Sequence, residues 1–317
     1  TCDVRQRAAA LLMLAAILGG CGDDGQAPRP AGPGHWKHCR VDGLKGASGL
    51  TMFGRDLIAV AGDGVRAVYT LPSGDLEHEG RVRARQLEVD VRMEATLLGA
   101  EPFALQGYSM KHLWPLAVDF QGVAVQPPNF LYVGERIRRV VYWGRLLRNA
   151  AGKLDRVRFD EVSVAPGGDR SKVAEGDWRD HGPGLAGLLA LAGSRRMEDL
   201  YVLDRAPRGG PALRIHRMDR YGSTLGAIPI KHEFGDALEC HALSFDGSRY
   251  VIHYGNGRGR LALVKEPGAM RSTKLGVGAP GPDVEGVTSW TGMTHGEDGT
   301  VFLISGGDPT VVAWRGA

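Results

Sequence analysis

Residues 48–71 read SGLTMFGRDLIAVAGDGVRAVYTL. A short apolar strand runs into a Gly turn, a second apolar strand ends at Gly62-Asp63, and a third follows another Gly. The same pattern returns four more times. The copies are FQGVAVQPPNFLYVGERIRRVVYW at 120–143, LAGLLALAGSRRMEDLYVLDR at 185–205, ECHALSFDGSRYVIHYGNGRGRLALVK at 239–265 and VEGVTSWTGMTHGEDGTVFLISGGDPTVVAW at 284–314. Repeats of three or four short strands, apolar on both faces, are the signature of a β-propeller, whose sheets are sandwiched between neighbours. The fold expected is all-β: a propeller of four-stranded blades, five recognisable and with room for a sixth.

Several copies continue through a Gly turn into a fourth strand, as at Ala151-Gly152-Lys153 before 157–164. The extra length between the first two copies, around 90–117, reads as a degenerate sixth blade or an inserted hairpin. The polar stretch 165–184 reads as a long loop. The last copy stops three strands in, at Trp314, which would leave an open edge. A closing strand from 36–41 is therefore expected. Leu185 to Gly193 has a helix-like composition, but its alignment with the other copies makes it an inner strand.

The chain has 317 residues, of which 47 are Gly, and a net charge of +3. That Gly content suits an all-β chain with many tight turns. The charge is too mild for nucleic acid, and no basic run interleaves with aromatics. The body is expected to be monomeric.

The first residues do not belong to the propeller. Arg5 and Arg7 precede AAALLMLAAIL and then Leu18-Gly19-Gly20-Cys21. A charged start and a short apolar core ending in small residues describe a secretory signal, and the core is too short to span a bilayer. Leu-Gly-Gly-Cys resembles a bacterial lipobox. That resemblance implies cleavage before Cys21, lipid attachment there, and a membrane anchor. Gly22, where Asp would retain such a protein at the inner membrane, implies the periplasmic side of the outer membrane. The domains read as a signal peptide at 1–20, the lipidated Cys21 with a flexible Gly/Pro-rich linker at 21–34, and the propeller at 35–317. In an oxidising compartment Cys39 and Cys240 either form a disulfide or remain separate thiols.

No nucleophile elbow, His-Glu-x-x-His helix, phosphate-binding loop or Cys-x-x-Cys pair occurs. Gly255-Asn256-Gly257-Arg258-Gly259 reads as a hairpin turn. The chemical signal is positional. Second strands end in an acid beside a base: Asp63 with Arg66, Glu135 with Arg136, and Asp204 with Arg205. His253 stands at the equivalent place in the fourth copy, and Asp308 shortly after it in the fifth. Asp119, Glu239 and Glu285 lie near the starts of first strands. Equivalent positions in different blades should share one rim. Asp119, Glu135, Glu239 and Glu285 are thus candidate ligands for Ca²⁺, which takes six to eight oxygens and would activate a bound water. Arg136 and Arg205 are candidates to clamp an anionic small molecule, and His253 is a candidate general base. A structural reading stands beside each: strand-end turns, ion pairs between blades, or solvated carboxylates.

Asp119-Phe120-Gln121-Gly122-Val123-Ala124, then Leu131-Tyr132-Val133-Gly134-Glu135-Arg136, and Val284-Glu285-Gly286-Val287 resemble the repeated elements of esterase-like phytase propellers. That resemblance implies an exported propeller acting on phosphoesters or other esters with a divalent cation. It carries over to Asp119, Glu135 and Glu285. The family's Glu before Gly is Gln121, Ser48, Ala186 or Cys240 in the other copies. Two functions are expected from these readings. One is an envelope-anchored, metal-assisted hydrolase acting at the central channel. The other is a non-catalytic module that binds an envelope protein or glycan, for which Trp178 and Trp290 are candidate exposed aromatics.

Overall fold

The computed structural model describes residues 36–62, 67–77, 80–91, 120–135, 140–164, 188–193, 199–205, 213–218, 224–233, 239–255, 258–265, 272–296, 299–307 and 309–314. All fall in the unit Ala31–Ala317. The expected signal peptide, Cys21 and linker lie outside them, as do the long loop at 165–184 and all but the first residues of the insertion around 90–117.

The described strands form five sheets, each a blade. The inner strands are Ala47–Phe53, Phe120–Gln126, Leu188–Gly193, Cys240–Phe245 and Trp290–His295, in blades 1 to 5. The second strands are Asp56–Ala61, Phe130–Glu135, Leu200–Arg205, Arg249–Tyr254 and Val301–Ser305. Each pairs antiparallel with its inner strand. Neighbouring inner strands contact one another all the way round, and blade 5 returns to blade 1. The helix-like Leu188–Gly193 is a strand, because its Leu and Ala side chains are consumed by the two blades that flank it.

The ring is closed as the open edge demands. Trp36–Asp42 joins the last blade antiparallel to Thr310–Trp314, with Cys39 opposite Val311. The first and last strands of the propeller thus share one sheet.

The outer edge departs from the simple repeat. The copies that continue through a Gly turn were expected to supply their own fourth strands. The segment 80–91 instead serves three blades in succession. Gly80–Arg83 pairs parallel with Trp36–Asp42 in blade 5, and Arg85–Gln86 pairs with Ala67–Pro72 in blade 1. Glu88–Val91 then pairs parallel with Leu154–Val164 in blade 2. One strap therefore covers three sheet edges that would otherwise be open. A shorter strap does the same for two blades. Thr273–Lys274 pairs with Thr224–Lys231 of blade 3, and Ala279–Pro280 with Arg260–Lys265 of blade 4.

Five apolar cores fill the five spaces between consecutive blades. Side chains alternate across each strand, so a fully apolar strand feeds two cores. In blade 3, Tyr201 and Leu203 pack toward blade 4, and Leu200 and Val202 toward blade 2. Between blades 3 and 4, Tyr201 packs on Phe245 (4.6 Å between ring centroids) and Tyr250 (5.0 Å).

Cys39 and Cys240 are both buried free thiols. Cys39 belongs to the core between blades 5 and 1, and Cys240 to the core between blades 3 and 4. The disulfide alternative is therefore set aside, since each thiol is walled off as a small apolar side chain. Burial pushes the Cys240 thiol up to about 12 despite the Arg205 charge nearby.

Candidate functional site

The five inner strands share a local irregularity that shapes the axis. In every blade the pairing register slips near the start of the inner strand. The slips lie between Ala47/Gly49, Phe120/Val123, Leu188/Ala190, Cys240/Ala242 and Trp290/Gly292. These bulges turn residues 48, 121, 189, 241 and 291 out of the ladder. Two of them fasten blades together. Gln121 Nε2 donates to the Leu189 carbonyl of the next blade at 2.8 Å, and Thr291 Oγ1 donates to the Ala47 carbonyl at 2.7 Å.

The residue after each bulge is small: Gly49, Gly122, Ala190, Ala242 and Gly292. Here the backbones nearly touch. A Cβ on Gly292 would lie 2.6 Å from the Gly49 carbonyl carbon, one on Gly49 would lie 2.7 Å from Gly122 Cα, and one on Gly122 would lie 2.7 Å from Leu191 N. The axis is therefore narrow at the N-terminal ends of the inner strands.

Beyond that constriction all five inner strands line a small cavity of about 20 Å³, open at its mouth and with room for about one water molecule. The next equivalent positions are Leu50, Val123, Leu191, Leu243 and Met293, all buried. The position after these holds Thr51, Ala124, Ala192, Ser244 and Thr294. Of these, Thr51, Ser244 and Thr294 bring hydroxyls to the lining and Ala192 a methyl group, while Ala124 packs in the core between blades 2 and 3. The last lining position holds Met52, Val125, Gly193, Phe245 and His295. Ser244 Oγ hydrogen-bonds His295 Nδ1 across the blade 4–5 boundary. Alternation explains this pair: Ser244 faces forward to blade 5, and His295 faces back to blade 4.

Among the described residues, those singled out in the sequence lie elsewhere. Asp119, Arg136, Asp63, Arg66, Asp308 and Trp178 are outside the described residues. Glu135 ends the second strand of blade 2, opposite Phe120. Arg205 ends that of blade 3, opposite Leu213, and is exposed.

The acid of the third copy, however, does not face the channel. Asp204 is fully buried on the blade 2 side of its sheet. It accepts from Arg214 Nε at 2.8 Å and Nη2 at 2.7 Å, with His216 Nε2 at 3.2 Å. Its partner is the cross-strand Arg214 rather than the adjacent Arg205.

Glu239 precedes the inner strand of blade 4 and is exposed, with one carboxylate oxygen 3.9 Å from His241 Nε2. Glu285 is not at a strand start. It occupies an exposed turn with Gly286 (φ 81°), and the inner strand begins at Trp290. Among the described residues no three His, Cys, Asp or Glu side chains converge to hold a metal ion. The described carboxylates do not fit the expected calcium site, which needs several oxygens around one point.

His253 is fully buried, with Nε2 3.2 Å from the Arg258 carbonyl and the Gly259 backbone against its ring. Burial pushes its pKa down to about 4; the Arg258 carbonyl opposes this, and His241, 5.9 Å away between ring centroids, adds to it. The ring is thus neutral and lines no part of the axial cavity. Trp290, a candidate exposed aromatic, is buried with no exposure at all.

Sequence reasoning missed Ser244 and His295 because it aligned the copies on apparent strand starts at Ser48, Gln121, Ala186, Cys240 and Glu285. The bulges align Ser48, Gln121, Leu189, His241 and Thr291 instead. The small residue after each bulge was the available signal.

No family profile matches the chain, and no curated protein matches it. Solved structures with a similar fold include a gluconolactonase from Xanthomonas campestris and a glucose dehydrogenase. The first is 14% identical with a TM-score of 0.44, over 92% of this chain and 85% of that one. The second is 11% identical with a TM-score of 0.42, over 89% and 99%. Neither likeness bears on activity.

Proposed function

We propose that this chain is an exported, lipid-anchored β-propeller that binds a small ligand at the open mouth of its axial channel. The observation that supports this is one equivalent position of the inner strands, where Thr51, Ser244 and Thr294 bring three hydroxyls to the axial lining beside Ala192. A few convergent polar groups fix the orientation of a small ligand. The ligand class is a small neutral molecule with one hydrogen-bonding edge and one apolar edge. The constriction at Gly49, Gly122 and Gly292 makes the cavity a dead end, entered from the opposite face.

The anchor rests on the sequence 5–21, with its charged start, short apolar core and Leu-Gly-Gly-Cys. It would hold the propeller at the envelope, where small solutes pass.

The test uses phenylacetone, which carries a carbonyl beside an apolar ring. Ligand-observed NMR should show saturable contact with the wild-type protein. Thr51→Leu, which fills the cavity, should abolish it while leaving the melting temperature within a few degrees. No saturable contact with the wild type, or equal contact with the filled variant, removes this reading.

A further inference from the structure

We propose that one side of the channel-mouth face, formed by blades 1 and 2, docks on an anionic phospholipid surface. This rests on the reading of an exported, lipid-anchored propeller, and adds the face with which the body meets its membrane.

The chain enters the propeller on the face that carries the channel mouth. Trp36 stands opposite Trp314, Trp314 opposite Val301, and Val301 opposite His295, which ends its inner strand at the mouth. The segment from Cys21 therefore arrives at that face. Read from its Gly and Pro content as a flexible linker, it would have a root-mean-square span of about 20 Å. A body of this size is roughly 50 Å across, so acylation at Cys21 would keep the mouth face closer to the bilayer than the constricted face. Such a tether raises the effective concentration of whatever that face presents.

Three hairpins at the mouth end of blades 1 and 2 supply the surface. Phe53 to Asp56 joins the first two strands of blade 1, and Gln126 to Phe130 joins those of blade 2. Arg148 to Leu154 joins the last two strands of blade 2. Arg55, Arg145, Arg148 and Lys153 are exposed there, against two half-buried acids, Asp56 and Asp155. Lys37 is exposed beside the entry of the tether in neighbouring blade 5. Arg148 crosses the blade boundary to Asp56 at 4.0 Å, and its guanidinium lies 5.3 Å from the centroid of the Phe53 ring. The Arg145 guanidinium lies 5.4 Å from the Phe130 centroid. Both rings are half-buried, and Pro127 and Pro128 are exposed at the tip of the second hairpin. By contrast, Arg249 on the blade 4 hairpin is answered by Asp246 at 3.1 Å. Cationic heads on apolar stems, beside aromatic and proline surface, match the boundary of a bilayer. Guanidinium groups bond to lipid phosphates, and the apolar stems and rings lie at headgroup depth. Each cation near an anionic surface is worth about fivefold in partitioning.

The experiment uses the chain from Gly22 to Ala317, which keeps the linker and the whole propeller and lacks the acylation point. At low salt it should sediment with vesicles that contain phosphatidylglycerol and stay in solution with pure phosphatidylcholine. Salt of about 0.3 M should release it, because exposed charges are screened. Arg55→Glu with Lys153→Glu should lower the partition coefficient by at least about tenfold. Arg205→Glu with Arg258→Glu changes the net charge equally, but from exposed positions at the constricted end. That variant should partition as the parent does. The lipid preference is read on the parent chain and does not depend on any variant folding. No preference for anionic vesicles, or an equal loss in the two double variants, would overturn the docking face. Fatty-acid labelling of the full-length protein separates this from the anchor. Labelling without vesicle preference would leave the anchor standing and remove the docking face alone. Vesicle preference without labelling would support the docking face and remove the anchor.

Discussion

Gly49 and Gly122 belong to adjacent blades, yet a methyl group on the first would stand 2.7 Å from the Cα of the second. No side chain fits there, because the obstacle is backbone on a neighbouring strand. Gly49→Ala should therefore cost about 1–3 kcal/mol or more, the range for overpacking a tight core. Gly276→Ala, with nothing within 4 Å, should stay within about 0.5 kcal/mol of wild type. Urea unfolding of the two variants measures both, and equal stability would mean that the constriction is not tight.

The buried carboxylate of Asp204 holds Arg214 and His216 between blades 2 and 3. Removing one partner of a buried ion pair leaves the other charge stranded, at about 3–5 kcal/mol. Asp204→Ala should lose that much in urea unfolding. The acid of the third repeat thus serves stability, and phenylacetone contact should persist in whatever fraction stays folded.

His253 makes stability depend on pH in a definite direction. Its folded pKa of about 4 lies below the ordinary 6.5. Between these values the unfolded chain binds the extra proton and the folded one does not. Stability is therefore level above about pH 6.5 and falls as the pH drops toward 4, by up to about 3 kcal/mol. Burial lowers His241 in the same direction. Melting temperatures from pH 7.5 to 4 should show the fall, and His253→Leu should reduce it to the part that His241 contributes.

Cys39 and Cys240 should resist a thiol reagent in the native state and react after denaturation, since both are buried. A reductant should leave the melting temperature unchanged. Mass mapping of modified peptides distinguishes these two from any other thiol.

The Leu18-Gly19-Gly20-Cys21 stretch, read as a lipid attachment site, predicts that Cys21→Ser releases the protein from membranes into the soluble fraction. Metabolic labelling with a fatty acid should mark the wild type and not the variant.

The blades were legible in the chain because each apolar strand is short, Gly-bounded and apolar on both faces, and the need to close an open edge located Trp36–Asp42. The strap was not legible, because 80–91 has the composition of one strand and its division among three blades depends on distant partners. The acid positions were expected to share one rim, which side-chain direction does not follow. Asp204 turns into an interblade core by strand alternation. Glu285 sits in a turn because Gly286 takes a positive φ, which shifts the strand to Trp290. Ser244 and His295 stayed hidden because their encounter requires the ring, and the bulges that align them leave only a small residue in the sequence.

The single run from Gly80 to Val91 touches blades 5, 1 and 2 in turn. For any of these blades to swing outward, the run must release its neighbours' edges within a few residues. The molecule therefore resists peeling one blade at a time. Its lifetime under heat or protease is governed by the rate of that joint release, which can be slow even where the net stability is modest.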